Sequence, residues 1–282
     1  MGCSRNSSLF ISYNDDESVL ISRCCLLKEK KITKADLFNK DFKDLALEAI
    51  NYTPRNGHSN QCSFDCGFTS NIRDVCINSI AVCNLRCYHC CSGFDGCVEN
   101  FYPHLFSKEE LSNRKKFTFD ILNYLKGKHL HAISLDGSGE IFVYYNDLIE
   151  YLKTLTPNDT ETFYFLTNAT LLNDKRIMEL YNISKATGVD YSFNISIDGL
   201  SEETFSACRP NADFKKVLSN LNLIQKLFTY VDVTFTVKRP NIKDAPNVEN
   251  FFKDMNVHLV WNSDYFDEKY CSQFVKPENR WA

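Results

Sequence analysis

The spacing of apolar and polar positions divides the chain near residue 77. Beyond it, β-branched and aromatic runs of strand length alternate with segments whose apolar residues recur at helical spacing. Strands are expected over residues 77–82, 132–136, 162–168, 191–198, 231–237 and 257–261. Helices are expected between them over 108–126, 146–155, 174–184, 213–227 and 248–255. The first of these opens on Ser107 with Glu110 three residues on, a capping box. Such alternation predicts a parallel sheet with right-handed crossovers and functional groups at the carboxyl ends of the strands. Six strands are two short of a closed eightfold barrel.

Residues 1–72 lack that alternation. The runs 9–13 and 19–22 flank Asn14, Asp15 and Asp16, the pattern of a β-hairpin. Phe42, Leu45, Leu47 and Ile50 then fall close to helical spacing, and Thr53, Pro54 and Gly57 break the chain. Cys3, Cys24, Cys25, Cys62 and Cys66 make this a small cysteine-rich subdomain. A core over 73–264 and a short tail over 265–282 complete the expected division.

A 282-residue chain with 44% apolar and 24% charged residues has globular composition and can bury one large core. Its formal charge of −4 and pI near 5.9 argue against a nucleic-acid partner. Lys28, Lys30 and Lys31, interrupted by Glu29, read as a solvated turn. Thirteen cysteines, with adjacent pairs at Cys24–Cys25 and Cys90–Cys91, imply a reducing and anaerobic cytoplasm rather than a disulfide framework. No run of about eighteen apolar residues is present to cross a bilayer, no signal peptide is recognisable, and Asn6 stands where a myristoylation pattern needs Ser or Thr. The expectation is a soluble protein with no membrane partner.

Chemistry concentrates at Cys83, Cys87 and Cys90, which follow the first expected strand. Thiolates are soft ligands suited to iron–sulfur clusters or zinc, and this spacing lets one short loop wrap a single centre. Three of them leave one iron of a four-iron cluster without a protein ligand and open to a cofactor. A zinc knuckle completed by Cys91 or Cys97 is the alternative that spacing leaves open. The histidines, including His129, His131 and His258, form no metal spacing.

The stretch Cys83-Asn84-Leu85-Arg86-Cys87-Tyr88-His89-Cys90, with its preceding strand, resembles the radical SAM superfamily. Gly137, Gly139 and Glu140 are similar to that family's Gly-Gly-Glu-Pro motif, with Ile141 in place of Pro. The run Leu166-Thr167-Asn168-Ala169 is similar to its Thr-Asn-Gly. Ser196-Ile197-Asp198-Gly199, with Arg209 and the Phe214-to-Leu218 helix start, looks like its Ser-Ile-Asp-Gly segment. The resemblance covers residues 77–261 and implies a partial (β/α)6 TIM-like barrel. It further implies a [4Fe-4S] cluster whose open iron is chelated by the amino and carboxyl groups of S-adenosylmethionine. On the same resemblance Glu140 would meet the amino group, Ser196 and Asp198 the ribose, Arg209 the carboxylate and His89 the adenine, and Asn168 would serve the barrel mouth.

The amino-terminal segment resembles the auxiliary-cluster modules called SPASM or twitch domains, although these normally follow the barrel. That likeness implies a second [4Fe-4S] cluster on Cys3, Cys24 or Cys25, Cys62 and Cys66, with Cys76 in reserve. A reductant such as flavodoxin or ferredoxin would be a partner. The implied activity is hydrogen abstraction from a substrate, with peptide oxidation or cross-linking as the lead. Sugar or cyclitol dehydrogenation or epimerisation comes second, with Cys97, Cys208 or Cys271 as hydrogen donors. A structural zinc or electron-carrying iron–sulfur protein is the reading from another class.

Overall fold

The structure, a computed structural model, describes residues 7–23, 29–50, 71–88, 90, 107–135 and 139–263. Its elements are β1 (Ser8–Tyr13), β2 (Ser18–Ser22), β3 (Lys30–Thr33), α1 (Lys34–Asn39), α2 (Phe42–Glu48) and β4 (Asp74–Asn78). There follow α3 (Lys108–Tyr124), β5 (Leu130–Leu135), α4 (Tyr145–Leu152), β6 (Thr160–Thr167), α5 (Asp174–Thr187) and β7 (Asp190–Ser196). The series ends with α6 (Glu202–Cys208), α7 (Phe214–Leu227), β8 (Tyr230–Val237), α8 (Val248–Phe252) and β9 (His258–Ser263).

The nine strands among the described residues form one sheet in the order β3-β2-β1-β4-β5-β6-β7-β8-β9. From β4 to β9 every neighbouring pair is parallel and consecutive in sequence. Parallel crossovers are right-handed, so a sheet that grows in one direction receives all its helices on one face. The ring contacts agree with this, since Tyr13 of β1 meets Phe117 of α3, Phe163 of β6 meets Tyr151 of α4, and Phe193 of β7 meets Phe228 after α7.

The two faces of the sheet differ as period-two alternation requires. Leu9, Ile11, Val75, Ile77, Ile133, Phe163, Phe165, Phe193 and Val233 are buried on the helix-covered face. The positions between them carry Ser134, Thr162, Tyr164, Ser192, Asn194, Asp232 and Thr234. These bond laterally: Tyr164 Oη donates to Asp232 Oδ2 over 2.6 Å, and Thr234 Oγ1 to Asn194 Oδ1 over 2.7 Å.

The amino-terminal hairpin joins the same sheet, because β1 pairs in parallel with β4 through Ser8↔Asp74 to Ser12↔Asn78. The hairpin forms where the sequence places it, and Asp15 Oδ1 closes its turn by accepting from the backbone of Glu17 and Ser18. Arg23 is fully buried at the far end, where Nε donates to Ser8 O and Nη1 to Ala46 O, fastening α2 to the start of β1.

Three expectations change. The first parallel strand runs over Asp74–Asn78 rather than 77–82, because Ser79 to Val82 leaves the ladder for a different partner, described below. Lys30 and Lys31 belong to β3 rather than to a turn; it is the outermost strand among the described residues, where exposed lysines are tolerated and discourage further pairing. The short helix α6, inside the Ser196-to-Arg209 run, is also an addition to the sequence reading. No helix among the described residues is long and apolar enough to cross a membrane.

Phe165 is the hub of the core. Its ring lies 5.0–5.5 Å, centroid to centroid, from Phe163, Phe193, Phe142 and Tyr191. Truncation would leave a cavity that four rings cannot collapse into, so Phe165→Ala is expected to destabilise the protein by about 3–5 kcal/mol. Chemical denaturation of the variant beside wild type measures this, and a loss below about 1 kcal/mol would contradict the packing described.

Candidate functional site

The segment that leaves β4 is bound at each step to something other than a strand. Ser79 Oγ and Thr118 Oγ1 lie 2.6 Å apart in a buried contact with α3. Val82 O accepts the Glu140 N–H at 2.8 Å. A glycine is required beside that bond, since a Cβ on Gly139 would sit 2.6 Å from Ile80 O and 2.7 Å from Val82 O. The end of β5 thus grips the approach to the cysteines by close backbone contact.

The cysteine loop is then held from three directions. Leu85 N–H donates to Cys83 Sγ at 3.4 Å and Asn168 Nδ2 reaches the same sulfur at 3.7 Å. Asn168 Nδ2 also donates to Asn84 Oδ1, and Asn84 Nδ2 donates to Thr170 Oγ1 at 2.7 Å, so the end of β6 clasps the loop through two amides. On the other side Arg209 Nη1 donates to Cys87 Sγ at 3.5 Å, and the Tyr88 N–H donates to Cys208 O at 2.8 Å. Cys90 N–H closes the loop on Cys87 O at 3.1 Å.

Two buried carboxylates set these clamps. Glu140 is 1% exposed; Oε1 accepts from Phe142 N–H, Oε2 from Asn168 N–H at 2.8 Å, and Thr167 Oγ1 lies 2.9 and 3.0 Å from the two oxygens. Burial pushes its carboxyl up to about 7, against those hydrogen bonds and the charge of Arg209, which pull it down. Asp198 is fully enclosed; Oδ2 accepts from Arg209 Nε and Oδ1 from Thr236 N–H, both at 2.6 Å. Asn241 Nδ2 donates to Asp198 O. Gly199 is needed at the same corner, since a Cβ there would lie 2.3 Å from Phe205 N of α6.

Ala169 completes the β6 corner with φ +56°, a left-handed conformation that costs an alanine about 1 kcal/mol. It is held by its N–H to Thr167 Oγ1 and by Asn220 Nδ2 of α7 donating to its carbonyl. The strained turn lies between Asn168 and Thr170, the two residues that grip Asn84.

No protein-family model matches the chain, and no curated protein does. Among solved structures it is similar to Streptococcus suis SuiB bound to precursor peptide SuiA, with 11% identity and a TM-score of 0.51 over 95% of this chain and 64% of that one. SuiB bound to S-adenosylmethionine aligns at 11% identity and a TM-score of 0.47, over 68% of this chain and 40% of that one. That is a likeness of fold. The chain spans less than two thirds of SuiB in every one of these alignments.

Of the expected site residues, Cys83, Cys87, Cys90, Gly139, Glu140, Asn168, Asp198 and Arg209 belong to this one contact network. Ser196 ends β7 beside it. Cys208 is fully buried at the end of α6; burial, with Asp198 nearby, pushes its thiol up to about 12, so it keeps its S–H. Cys76 lies mid-strand in β4, level with Phe10 and Ser134. His89, Gly137, Cys97, Cys271, Cys3, Cys24, Cys25, Cys62 and Cys66 lie outside the described residues. Thr236, Asn241 and Asn220 are contributors with no motif to mark them. A cavity of about 610 Å³, with Asp74, His131, Tyr164 and Tyr230 in its wall, sits at the amino-terminal ends of the strands, away from the cysteines.

Among the described residues no three His, Cys, Asp or Glu side chains surround a point where one metal ion could sit. The three thiols of the loop are nevertheless within electrostatic reach of one another: burial pushes Cys83 up to about 12, the Leu85 N–H opposes this, and Glu140, Cys87 and Cys90 add to it. Burial also raises Cys87, with Arg209 opposing. Thiols on one loop, two of them accepting N–H···S bonds, are a soft donor set that could hold an iron–sulfur cluster or a zinc ion.

Gly139→Ala would force its Cβ into two backbone oxygens, which cannot swing aside as a side-chain tip would. A loss of about 1–3 kcal/mol is expected on chemical denaturation. Wild-type stability in that variant would refute the clamp. Glu140 yields a pH dependence. Its folded-state value is raised from 4.5 to about 7, so its contribution is fully present below about pH 4.5 and is lost as the pH rises through 7. The expected fall is on the order of 3 kcal/mol. Unfolding of metal-free protein at several pH values measures it, and Glu140→Gln should flatten that part of the curve.

Proposed function

We propose that the chain is a radical SAM enzyme that modifies a peptide, by oxidation or cross-linking. The observation that carries this reading is the convergence of the β5, β6 and α6 ends on Cys83 and Cys87: the groups that resemble the family's cofactor-binding motifs are the groups that grip the cysteine loop. The fold likeness to SuiB, a protein crystallised with a precursor peptide, favours a peptide over a sugar. On this reading strands β4 to β9 are the partial (β/α)6 barrel core within 73–264, and 1–72 is an auxiliary segment.

Cys83, Cys87 and Cys90 would hold a [4Fe-4S] cluster with one iron left for S-adenosylmethionine. The chemistry such a cluster would supply when bound is one-electron reductive cleavage of S-adenosylmethionine to methionine and a 5'-deoxyadenosyl radical able to take hydrogen from the substrate, the electron coming from a reductant such as flavodoxin or ferredoxin. The protein's own part is positional. Glu140 and Asp198 fix the loops that carry Gly139, Asn168 and Arg209. Ser196 and Asn168 would contact the cofactor from the strand ends; Cys208, buried beside the loop, would be a hydrogen donor only in the second reading, epimerisation of a sugar or cyclitol.

The test is anaerobic reconstitution with iron and sulfide, reduction in the presence of S-adenosylmethionine, and quantification of 5'-deoxyadenosine. Wild type is expected to form it, and Cys83→Ala/Cys87→Ala/Cys90→Ala to form none. A stable metal site with no cleavage of the cofactor would overturn this reading in favour of an electron carrier or a structural metal protein.

A further inference from the structure

We propose that Arg209, held by Asp198, is a positioning and tuning residue whose hydrogen bond to the Cys87 sulfur raises the reduction potential of the cluster on this loop. The inference rests on the reading of the cysteine loop given above and assigns a role to the arginine beyond any contact with the cofactor.

The geometry leaves the guanidinium little freedom. Nε donates to Asp198 Oδ2 at 2.6 Å and Nη1 to Cys87 Sγ at 3.5 Å, so one rigid fork spans the acid and the sulfur. Asp198 cannot turn away, because its other oxygen takes the Thr236 N–H and its carbonyl takes Asn241 Nδ2. The pair is buried, with Arg209 6% and Asp198 0% exposed, and its part-buried bond to Cys87 is screened by water less than a surface contact would be. A lysine has a single donor centre and cannot bridge both partners in this way.

Cys83 and Cys87 are held by different kinds of donor. Cys83 accepts from neutral groups, the Leu85 N–H and the Asn168 amide. Cys87 accepts from a cation. A charge-assisted hydrogen bond is roughly twice as strong as a neutral one, and hydrogen bonds to cluster sulfurs are among the determinants of cluster potential. Reduction adds one electron, whose density is shared with the thiolate sulfurs, so a donor at Cys87 stabilises the reduced form more than the oxidised form. The step is the transfer of a single electron from dithionite to the cluster, with no bond made or broken. Because Asp198 balances the charge of Arg209, the effect comes from the directed N–H···S contact rather than from net charge.

The experiment compares reconstituted wild type, Arg209→Lys and the double variant Asp198→Asn/Arg209→Gln, which removes both charges together and leaves no unpaired buried ion. Iron and sulfide are quantified and folding is checked by thermal unfolding. The potential is then read by an electron-paramagnetic-resonance redox titration without S-adenosylmethionine. In the double variant the ratio of reduced to oxidised cluster at a fixed poise is expected to fall at least tenfold, a shift of about 59 mV for one electron. Arg209→Lys should fall in the same direction by less. Variants with full iron content and the wild-type potential would overturn the proposal, and weaker S-adenosylmethionine binding at that unchanged potential would assign Arg209 to the cofactor alone. A wild-type protein that takes up no iron would instead overturn the functional reading, and this inference with it.

Discussion

A carboxylate removed from water must take its hydrogen bonds from the protein around it, and Glu140 takes them from the ends of two strands. Phe142 N–H, Thr167 Oγ1 and Asn168 N–H all turn toward it, which ties the loop after β5 to the turn after β6. Asp198 does the same one strand further on, joining β7 to β8 through Thr236 and to α6 through Arg209. Between these two acids the cysteine loop has no separate scaffold. Its shape is inherited from how each acid is satisfied, which is why removing either partner from such a site costs more than an ordinary hydrogen bond.

Much of the fold was legible along the chain because its parallel strands are short apolar runs with few competing interpretations. The run over residues 231–237 differs by one residue from β8, and Ser107 caps α3 as its spacing predicts. Where apolar character and backbone pairing part company, the sequence misleads. Ile80 and Ala81 are as buried as strand residues, yet they lie outside the ladder, and Ile80 packs against Gly139 after β5. Charge hid β3 in the opposite way, since an edge strand can carry two lysines that interior alternation would not allow.

The site divides along a similar line. Cys83, Cys87 and Cys90 announce themselves by spacing, and Glu140, Asp198 and Arg209 by local motif. Their mutual roles do not, because those depend on what the fold brings near. Arg209 and Cys87 are 122 residues apart, and Thr236 reaches Asp198 by a backbone N–H that any residue but proline could supply. Asn241 and Asn220 act through carbonyl contacts that leave no pattern in the chain.

A sheet whose strands from β4 to β9 are neighbours in sequence can lay that part down in order as the chain leaves the ribosome, domains and their parts folding from the amino terminus first. The cysteines emerge early in that order, and Asn168 and then Arg209 arrive only after the intervening strands have been made. At ordinary rates of synthesis the interval between Cys87 and Arg209 is on the order of ten seconds. During that time the loop lacks the Asn168 and Arg209 contacts that hold Cys83 and Cys87 in the folded chain, so the cysteines are the first part of the site to be made and among the last to be fixed in place.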